Sequence, residues 1–211
     1  MTDDLSMAIV NLKRDEAAEM IKSRAEAGED PLKIVDECRK GLMIVGERYN
    51  KGDFFLAELI LSGQIFKQAF ETLQPYMRKT TPGKEVGTVV MATLKGDVHD
   101  LGKDIVATLL ESQGFKVHNL GVDVPVQVFV DKVREVRPDF VGLSVLITTV
   151  FNTMKAAVKQ LETEGLRDSL KLLIGGAVVT PELQDYVGAD FHTTDAMAGV
   201  DYCLANVKGG A

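Results

Sequence analysis

Tryptophan is absent from the 211 residues, histidine occurs three times, cysteine twice, and aromatic residues make up only 6%. The two cysteines, Cys38 and Cys203, share no C-x-x-C spacing, so each reads as a small buried residue in a reduced, cytoplasmic setting. Long hydrophobic runs are also missing. The apolar stretches are short and lie between polar turns, which excludes a transmembrane helix. The opening residues show no cationic stretch followed by an apolar one, so no secretory signal is expected. Basic charge is in short supply: 24 Lys and Arg face 31 Asp and Glu, a net charge of −7, and the pI is about 5.1. Such a balance argues against a general nucleic-acid binder, which needs a basic face to displace phosphate counterions. What is present, 45% hydrophobic and 26% charged residues, fits an ordinary globular chain of one or two domains.

The pattern changes once along the chain. Up to about residue 78 the apolar residues recur at helical spacing. Leu5 to Ala27 carries Ile9, Leu12, Ala17, Met20 and Ile21 among charged residues. Asp30-Pro31 is a helix start, followed by Leu32, Val35, Leu42, Val45 and Tyr49. Asn50-Lys51-Gly52-Asp53 breaks that pattern, and Phe54 to Tyr76 forms another long helical stretch. Three or four helices predict a small bundle. The polar segment Arg78–Lys84, with its Pro82-Gly83 turn, reads as a linker, giving a helical domain at 1–82 and a second domain at 83–211.

From Val86 onward, short β-branched runs alternate with helical segments. The runs are Val86–Ala92, Phe115–Asn119, Phe140–Ser144, Lys171–Ile174 and Ala189–His192. The helices are Gly102–Gln113, Pro125–Val136, Val150–Glu164, Pro181–Val187 and Ala196–Val207. This alternation predicts an α/β domain with a five-stranded parallel, flavodoxin-like sheet. Ligands of such sheets bind beyond the carboxyl ends of the strands.

The stretch richest in chemistry is Gly96-Asp97-Val98-His99-Asp100-Leu101-Gly102. It follows the first predicted strand. A histidine there, with a carboxylate two residues earlier and a glycine three residues later, suits an axial metal ligand. Asp97 would accept a hydrogen bond from the second ring nitrogen of His99. Gly102 would let a planar cofactor approach the backbone. Asp97 has another reading as cap of the helix beginning near Leu101, but Asp100 is available for that position. Two more elements fall at strand ends. Ser144-Val145-Leu146 is separated from Gly102 by 41 residues, and Gly175-Gly176 from Leu146 by 28. Periodicity places His99, Ser144 and Gly175 on one rim of the sheet. A polar Ser144 in an otherwise apolar run is not explained by a buried strand alone.

These three elements, in residue type and spacing, resemble the signature of the cobalamin-binding module shared by methionine synthase, corrinoid mutases and the small corrinoid proteins of methyltransferase systems. The resemblance runs from about residue 5 to residue 207. It implies that His99 replaces the cofactor's own dimethylbenzimidazole as lower ligand to cobalt, with Asp97 behind it and Val98, Asp100 and Gly102 completing the loop. It also implies that Ser144, Leu146 and Thr148 line the tunnel for the displaced nucleotide tail. Gly175, Gly176 and Ala177 would make room for that tail, with His192 near its phosphate end. In methionine synthase a serine extends the Asp–His pair into a triad; the matching position here is Val150, so no triad is carried over. Val45 to Leu56 resembles the helical cap over the corrin, with Tyr49 and Leu56 as the two apolar shields. Methionine synthase has phenylalanine where Tyr49 stands.

The resemblance implies a corrinoid methyl carrier, inactive on its own, that cycles between cob(I)alamin and methylcobalamin. Its expected partners are a substrate-specific methyltransferase of the methanol, methylamine, betaine or O-demethylase type, a second methyltransferase acting on tetrahydrofolate or a thiol, and a reductive activase. Neither nucleic acid nor membrane is expected. The cap would swing away for transfer, hinging near Arg78–Lys84. The alternatives are a cobalamin-sensing regulator, which usually carries a DNA-binding segment ahead of the cap, a corrinoid subunit of a mutase, which generally lacks the cap, and a flavodoxin-like module without corrin.

Overall fold

Where a crossover helix lands depends on the direction in which the chain moves along the sheet, and that rule sorts most of this molecule. The computed structural model describes residues 4–77 and 85–207. The chain divides into two units, Met1–Arg78 and Lys79–Ala211. The segment read from the sequence as linker and hinge, Arg78–Lys84, lies outside the described residues.

The first unit has four helices among its described residues: α1 (Leu5–Val10), α2 (Arg14–Glu26), α3 (Pro31–Lys51) and α4 (Leu56–Met77). The sequence reads Leu5–Ala27 as one helical stretch; the structure breaks it at Leu12, whose φ of 56° is left-handed. There the Leu12 N–H donates to Ile9 O and the Lys13 N–H to Ala8 O, a helix-ending arrangement that usually recruits glycine. With leucine in that place, the periodicity gives no sign of the break. The start of α3 is as predicted, because Asp30 accepts from the Leu32 N–H at 3.0 Å and Pro31 occupies the first turn. Gly52, with φ +81°, ends it. Helix α1 lies close on α3, where a Cβ on Gly41 would stand 2.6 Å from Ser6 O. Leu5, Ile9, Ile21, Ile34, Val45, Phe66, Phe70 and Leu73 form the buried interior.

The second unit is a parallel sheet in the order β2-β1-β3-β4-β5. Its strands are β1 (Thr88–Thr93), β2 (Lys116–Asn119), β3 (Phe140–Ser144), β4 (Lys171–Gly175) and β5 (Phe191–Thr193). The helices are α5 (Leu101–Ser112), α6 (Val126–Val136), α7 (Phe151–Thr163), α8 (Pro181–Val187) and α9 (Ala196–Asn206). The step from β1 to β2 runs one way along the sheet, and the three later crossovers run the other way. Right-handed connections therefore put α5 on one face and α6, α7 and α8 on the opposite face. Helix α9 packs beside α5.

The two faces differ in kind. On the α6–α8 side, Val90, Ala92, Leu94, Val141, Leu143, Val145, Leu172 and Ile174 are buried with Phe129, Val133, Met154, Val158 and Leu161 in one continuous core. The alternate residues of β3 and β4, pointing to the α5 and α9 side, include Gly142, Ser144, Leu173 and Gly175, all only half-buried.

Several boundaries move by one or two residues relative to the sequence reading, β1 for instance beginning at Thr88 instead of Val86. Strand β5 begins at Phe191 instead of Ala189, because Asp190 turns its carboxylate to the Leu172 N–H at 2.7 Å and to Arg167 at 2.8 Å. Helix α7 begins at Phe151, preceded by a 3₁₀ turn at Thr148–Val150.

Two glycines at the carboxyl rim should respond oppositely to alanine. Gly176 has φ +132°, and a Cβ there would stand 1.8 Å from Val145 O. Gly176→Ala is expected to destabilise the ligand-free protein by more than about 3 kcal/mol in thermal or denaturant unfolding. Gly102 lies in the first turn of α5 with nothing within 4 Å of an added Cβ. Gly102→Ala is expected to leave stability unchanged or raise it by up to about 1 kcal/mol.

Candidate functional site

The strand order reverses between β1 and β3, and the loops leaving these two strands diverge there. That is the crevice in which open α/β sheets bind ligands. The β1 loop opens with a turn in which the Asp97 N–H donates to Leu94 O at 3.1 Å. Gly96 takes φ +102° in that turn, and a Cβ on it would stand 2.9 Å from Cγ1 of Val150. Glycine is thus required twice over, by its conformation and by the valine packed on it. At the other end of the loop, the Thr93 hydroxyl donates to His99 O at 3.0 Å.

Asp97 has no exposed surface, whereas the His99 side chain is 48% exposed. Asp97 Oδ1 accepts from His99 Nδ1 at 2.5 Å and from the His99 N–H at 3.1 Å. Oδ2 accepts from the Leu146 N–H at 2.8 Å. Burial pushes the Asp97 carboxyl up, but the Leu146 amide, the His99 ring and the His99 amide together outweigh it, and the pKa lies below its ordinary value of 3.8. An ionised carboxylate accepts only, so Nδ1 donates to it and Nε2 is the nitrogen left at the exposed end of the ring. The carboxylate fixes both the tautomer and the ring direction, as it does for metal-bound histidines.

Asp100 stands at the cap position before α5, as the sequence suggests, but its side chain makes no capping hydrogen bond and its backbone is already helical. The expected cap is therefore not formed. Asp97 is held to His99 by the three donors around it, not by a division of labour with Asp100. Val150, which the resemblance sets against the triad serine, is buried against Gly96. The oxygen of Asp97 that does not meet His99 binds the Leu146 amide instead.

The register lines up Thr93, Ser144, Gly175 and Thr193 in one row across the sheet. Ser144 and Gly175 belong to the half-buried face described above, together with Gly142 and Leu173 one turn of the pleat earlier. Sequence reasoning missed Thr93, Gly142 and Leu173. The signal for the last two was available, since they sit two residues before Ser144 and Gly175 on the same face. Val98 and Leu146 expose apolar side chains near His99, and Thr148 and Ala177 are exposed. His192 stands apart from this loop: it is inside β5, with Nδ1 2.5 Å from Gln184 Oε1 on α8. In the helical unit Tyr49 is 39% and Leu56 58% exposed, so neither belongs to the bundle core.

Among the described residues, no group of three or more His, Cys, Asp or Glu side chains is gathered to hold a metal ion. A metal at His99 must bring its other ligands with it. Both cysteines are buried, and burial pushes their thiols up to about 12, which leaves them unreactive. No helix among the described residues is long and apolar enough to cross a membrane.

A lone exposed imidazole backed by a buried carboxylate, open space beyond Gly102 and a half-open strip of small residues fit a metal macrocycle with an appended tail. Comparison with known proteins agrees. Two family models, each described as a B12 binding domain, match residues 87–201 and residues 1–74. The dimethylamine corrinoid protein of Methanosarcina barkeri is 34% identical over 95% of this chain and 94% of its own. Trimethylamine corrinoid protein 1 of Methanosarcina acetivorans is 37% identical over 90% and 88%. The solved structure of the Methanosarcina barkeri monomethylamine corrinoid protein superimposes with a TM-score of 0.89 at 31% identity, covering 95% of each chain. The methanol:cobalamin methyltransferase complex of the same organism gives 0.52 at 27% identity, covering 97% of this chain and 80% of the other. With matches of this extent over both units, the chain belongs to the B12-binding corrinoid proteins.

Proposed function

We propose that the protein is a methyl carrier of a methylamine methyltransferase system, holding cobalamin with His99 Nε2 as lower axial ligand and the cofactor's own base displaced. The observation that carries this reading is the Asp97–His99 pair, in which Nδ1 is committed to a fully buried carboxylate and Nε2 is turned outward. When bound, the corrinoid supplies the cobalt centre on which the methyl group travels. The chain's part is to ligate, to orient and to keep water away. Val98 and Leu146 offer apolar surface beside the ligand. Gly102 leaves the approach to the backbone open, and Ser144, Thr148, Gly175, Gly176 and Ala177, together with Gly142 and Leu173, accommodate the nucleotide tail. His192 closes the far end of that path. In the helical unit, the exposed Tyr49 and Leu56 would offer the cofactor apolar surface.

A substrate-specific methyltransferase delivers the methyl group, and a second methyltransferase passes it to a thiol or to tetrahydrofolate; a reductive activase restores the carrier after oxidation. Methylamines are favoured as the source because the relatives named for dimethylamine and trimethylamine align at 34% and 37% identity along nearly their whole length. The carrier works in the cytoplasm.

Reconstitution with cobalamin and reduction to cobalt(II) tests the ligation. The axial nitrogen splitting in the EPR spectrum should change from a triplet to a doublet when the protein is ¹⁵N-labelled, and should vanish in His99→Ala. A splitting that ignores the label means that the cofactor has kept its own base. The source is tested by methyl transfer from mono-, di- and trimethylamine in the presence of the matching methyltransferases; transfer from methanol alone rejects the methylamine assignment.

The Asp97 carboxylate is testable without cofactor. Asp97→Asn puts an N–H against either Leu146 or His99 and should lower stability by about 1–3 kcal/mol at neutral pH. Because the folded pKa lies below 3.8, the stabilising effect is complete above that value and is lost as the pH falls through the lower folded one. The difference in melting temperature between wild type and Asp97→Asn should therefore be constant from about pH 7 to 5 and shrink below pH 4. A difference that grows with acidification rules this out.

A further inference from the structure

We infer that Asp123, in the β2–α6 loop, is a positioning residue for the axial ligand: it fixes the Gly96–Asp97 turn from which His99 projects. The inference rests on the reading of His99 as ligand to cobalt.

Asp123 is one of three non-glycine residues with positive φ among those described, at 52°. Its left-handed conformation follows from what is fixed on either side. The Leu120 N–H donates to Met91 O at 2.8 Å, and Gly121 O accepts from the Thr93 N–H at 3.0 Å. Asn119 Oδ1 accepts from the Gly121 N–H at 3.1 Å and from the buried Lys103 ammonium at 2.7 Å. On the other side, Val124 pairs with Leu94 as a parallel bridge, and its carbonyl accepts from the Lys95 N–H at 2.8 Å. The loop thus runs beside β1 and its extension like a short additional strand, clamped before and after Asp123. The strain at Asp123 is held in place by these bonds.

That conformation turns Asp123 onto the neighbouring loop. Its carboxylate Oδ1 accepts from the Gly96 N–H at 2.8 Å, and its own N–H donates to Asp97 O at 3.0 Å. One residue therefore grips both ends of the Gly96–Asp97 unit. With the Asp97 N–H on Leu94 O and both carboxylate oxygens engaged, every polar atom of Asp97 is tied. Gly96 and Asp123 are both exposed, so water would solvate either group if the bond were broken. The carboxylate is not needed to satisfy a buried donor. Its effect is to limit how the turn, and with it the His99 ring, can tilt.

Two substitutions separate this role from a merely structural one. Asp123→Gly keeps the left-handed backbone without strain but removes the carboxylate. Asp123→Asn keeps an acceptor oxygen and tolerates the same φ. Each full-length variant is titrated with hydroxocobalamin, reduced to cobalt(II), and compared by EPR with ¹⁵N-labelled wild type; melting of the cofactor-free proteins is measured alongside. Asp123→Gly should bind cobalamin about tenfold more weakly and lose part of the protein-nitrogen splitting, with the cofactor-free melting temperature retained. Asp123→Asn should restore both readouts. Unchanged splitting and affinity in Asp123→Gly, or a loss of affinity that merely follows a fall in melting temperature, overturns the assignment while leaving His99 as ligand. If the wild-type splitting itself ignores the ¹⁵N label, the ligand reading fails, and this inference with it.

Discussion

The site depends on one carboxylate having more donors than a loop residue usually gathers. Asp97 is completely buried, yet it stays ionised because the His99 ring, the His99 amide and the Leu146 amide all donate to it. Removing it from water without those bonds would be costly; with them, the buried charge becomes a rivet between the loop after β1 and the loop after β3. These are the two loops that part at the switch point of the sheet. The same bonds that satisfy the charge hold the crevice to a fixed width and aim the imidazole out of it. The direction of the His99 ring and the loop architecture are therefore a single problem here, with a single solution.

The division of the sheet into a packed face and a half-open face follows from topology before any side chain is considered. Three crossovers in one direction stack α6, α7 and α8 over the same side, and the buried residues of β1, β3 and β4 pointing there are Val, Leu and Ile apart from Ala92. The other side receives α5 and α9. There β3 and β4 carry glycine and serine where bulk would fill the space, and the row from Thr93 to Thr193 is small or polar throughout. Small side chains forgo buried apolar area, roughly 25 cal/mol for each Å² not removed from water. A sheet selected for packing alone would carry larger residues at Gly142, Ser144 and Gly175. The deficit is confined to the face and the rim that the His99 loop also occupies, and this supports the proposed groove for the cofactor's tail.

Much of this was legible in the residues. Five β-branched runs alternating with helices specify a parallel sheet, and the spacing of His99, Ser144 and Gly175 puts them on its carboxyl rim. The carboxylate two residues before the histidine could be paired with it in advance, because so short a separation leaves few other partners. What could not be read was anything carried by backbone polar groups. The Leu146 amide on Asp97, the missing cap at Asp100 and the left-handed Leu12 leave no mark on side-chain pattern. Nor do they alter hydrophobic periodicity, the signal on which such reading depends. The half-open face was partly visible through Ser144. Gly142 and Leu173 needed only the period of the strand.

The group on the second carboxylate oxygen of Asp97 is a backbone amide, and this has a chemical consequence. A serine on the second carboxylate oxygen can hand a proton onward. A backbone N–H cannot release one, and Val150, pressed on Gly96, has none to offer. The path for a proton therefore ends at Asp97. The exposed edge of the His99 ring is the one part of the pair that faces solvent, while the carboxylate behind it is sealed by backbone amides. What Asp97 contributes is a fixed direction for the ring and a charge held in place by its donors, not a relay of exchangeable groups behind it.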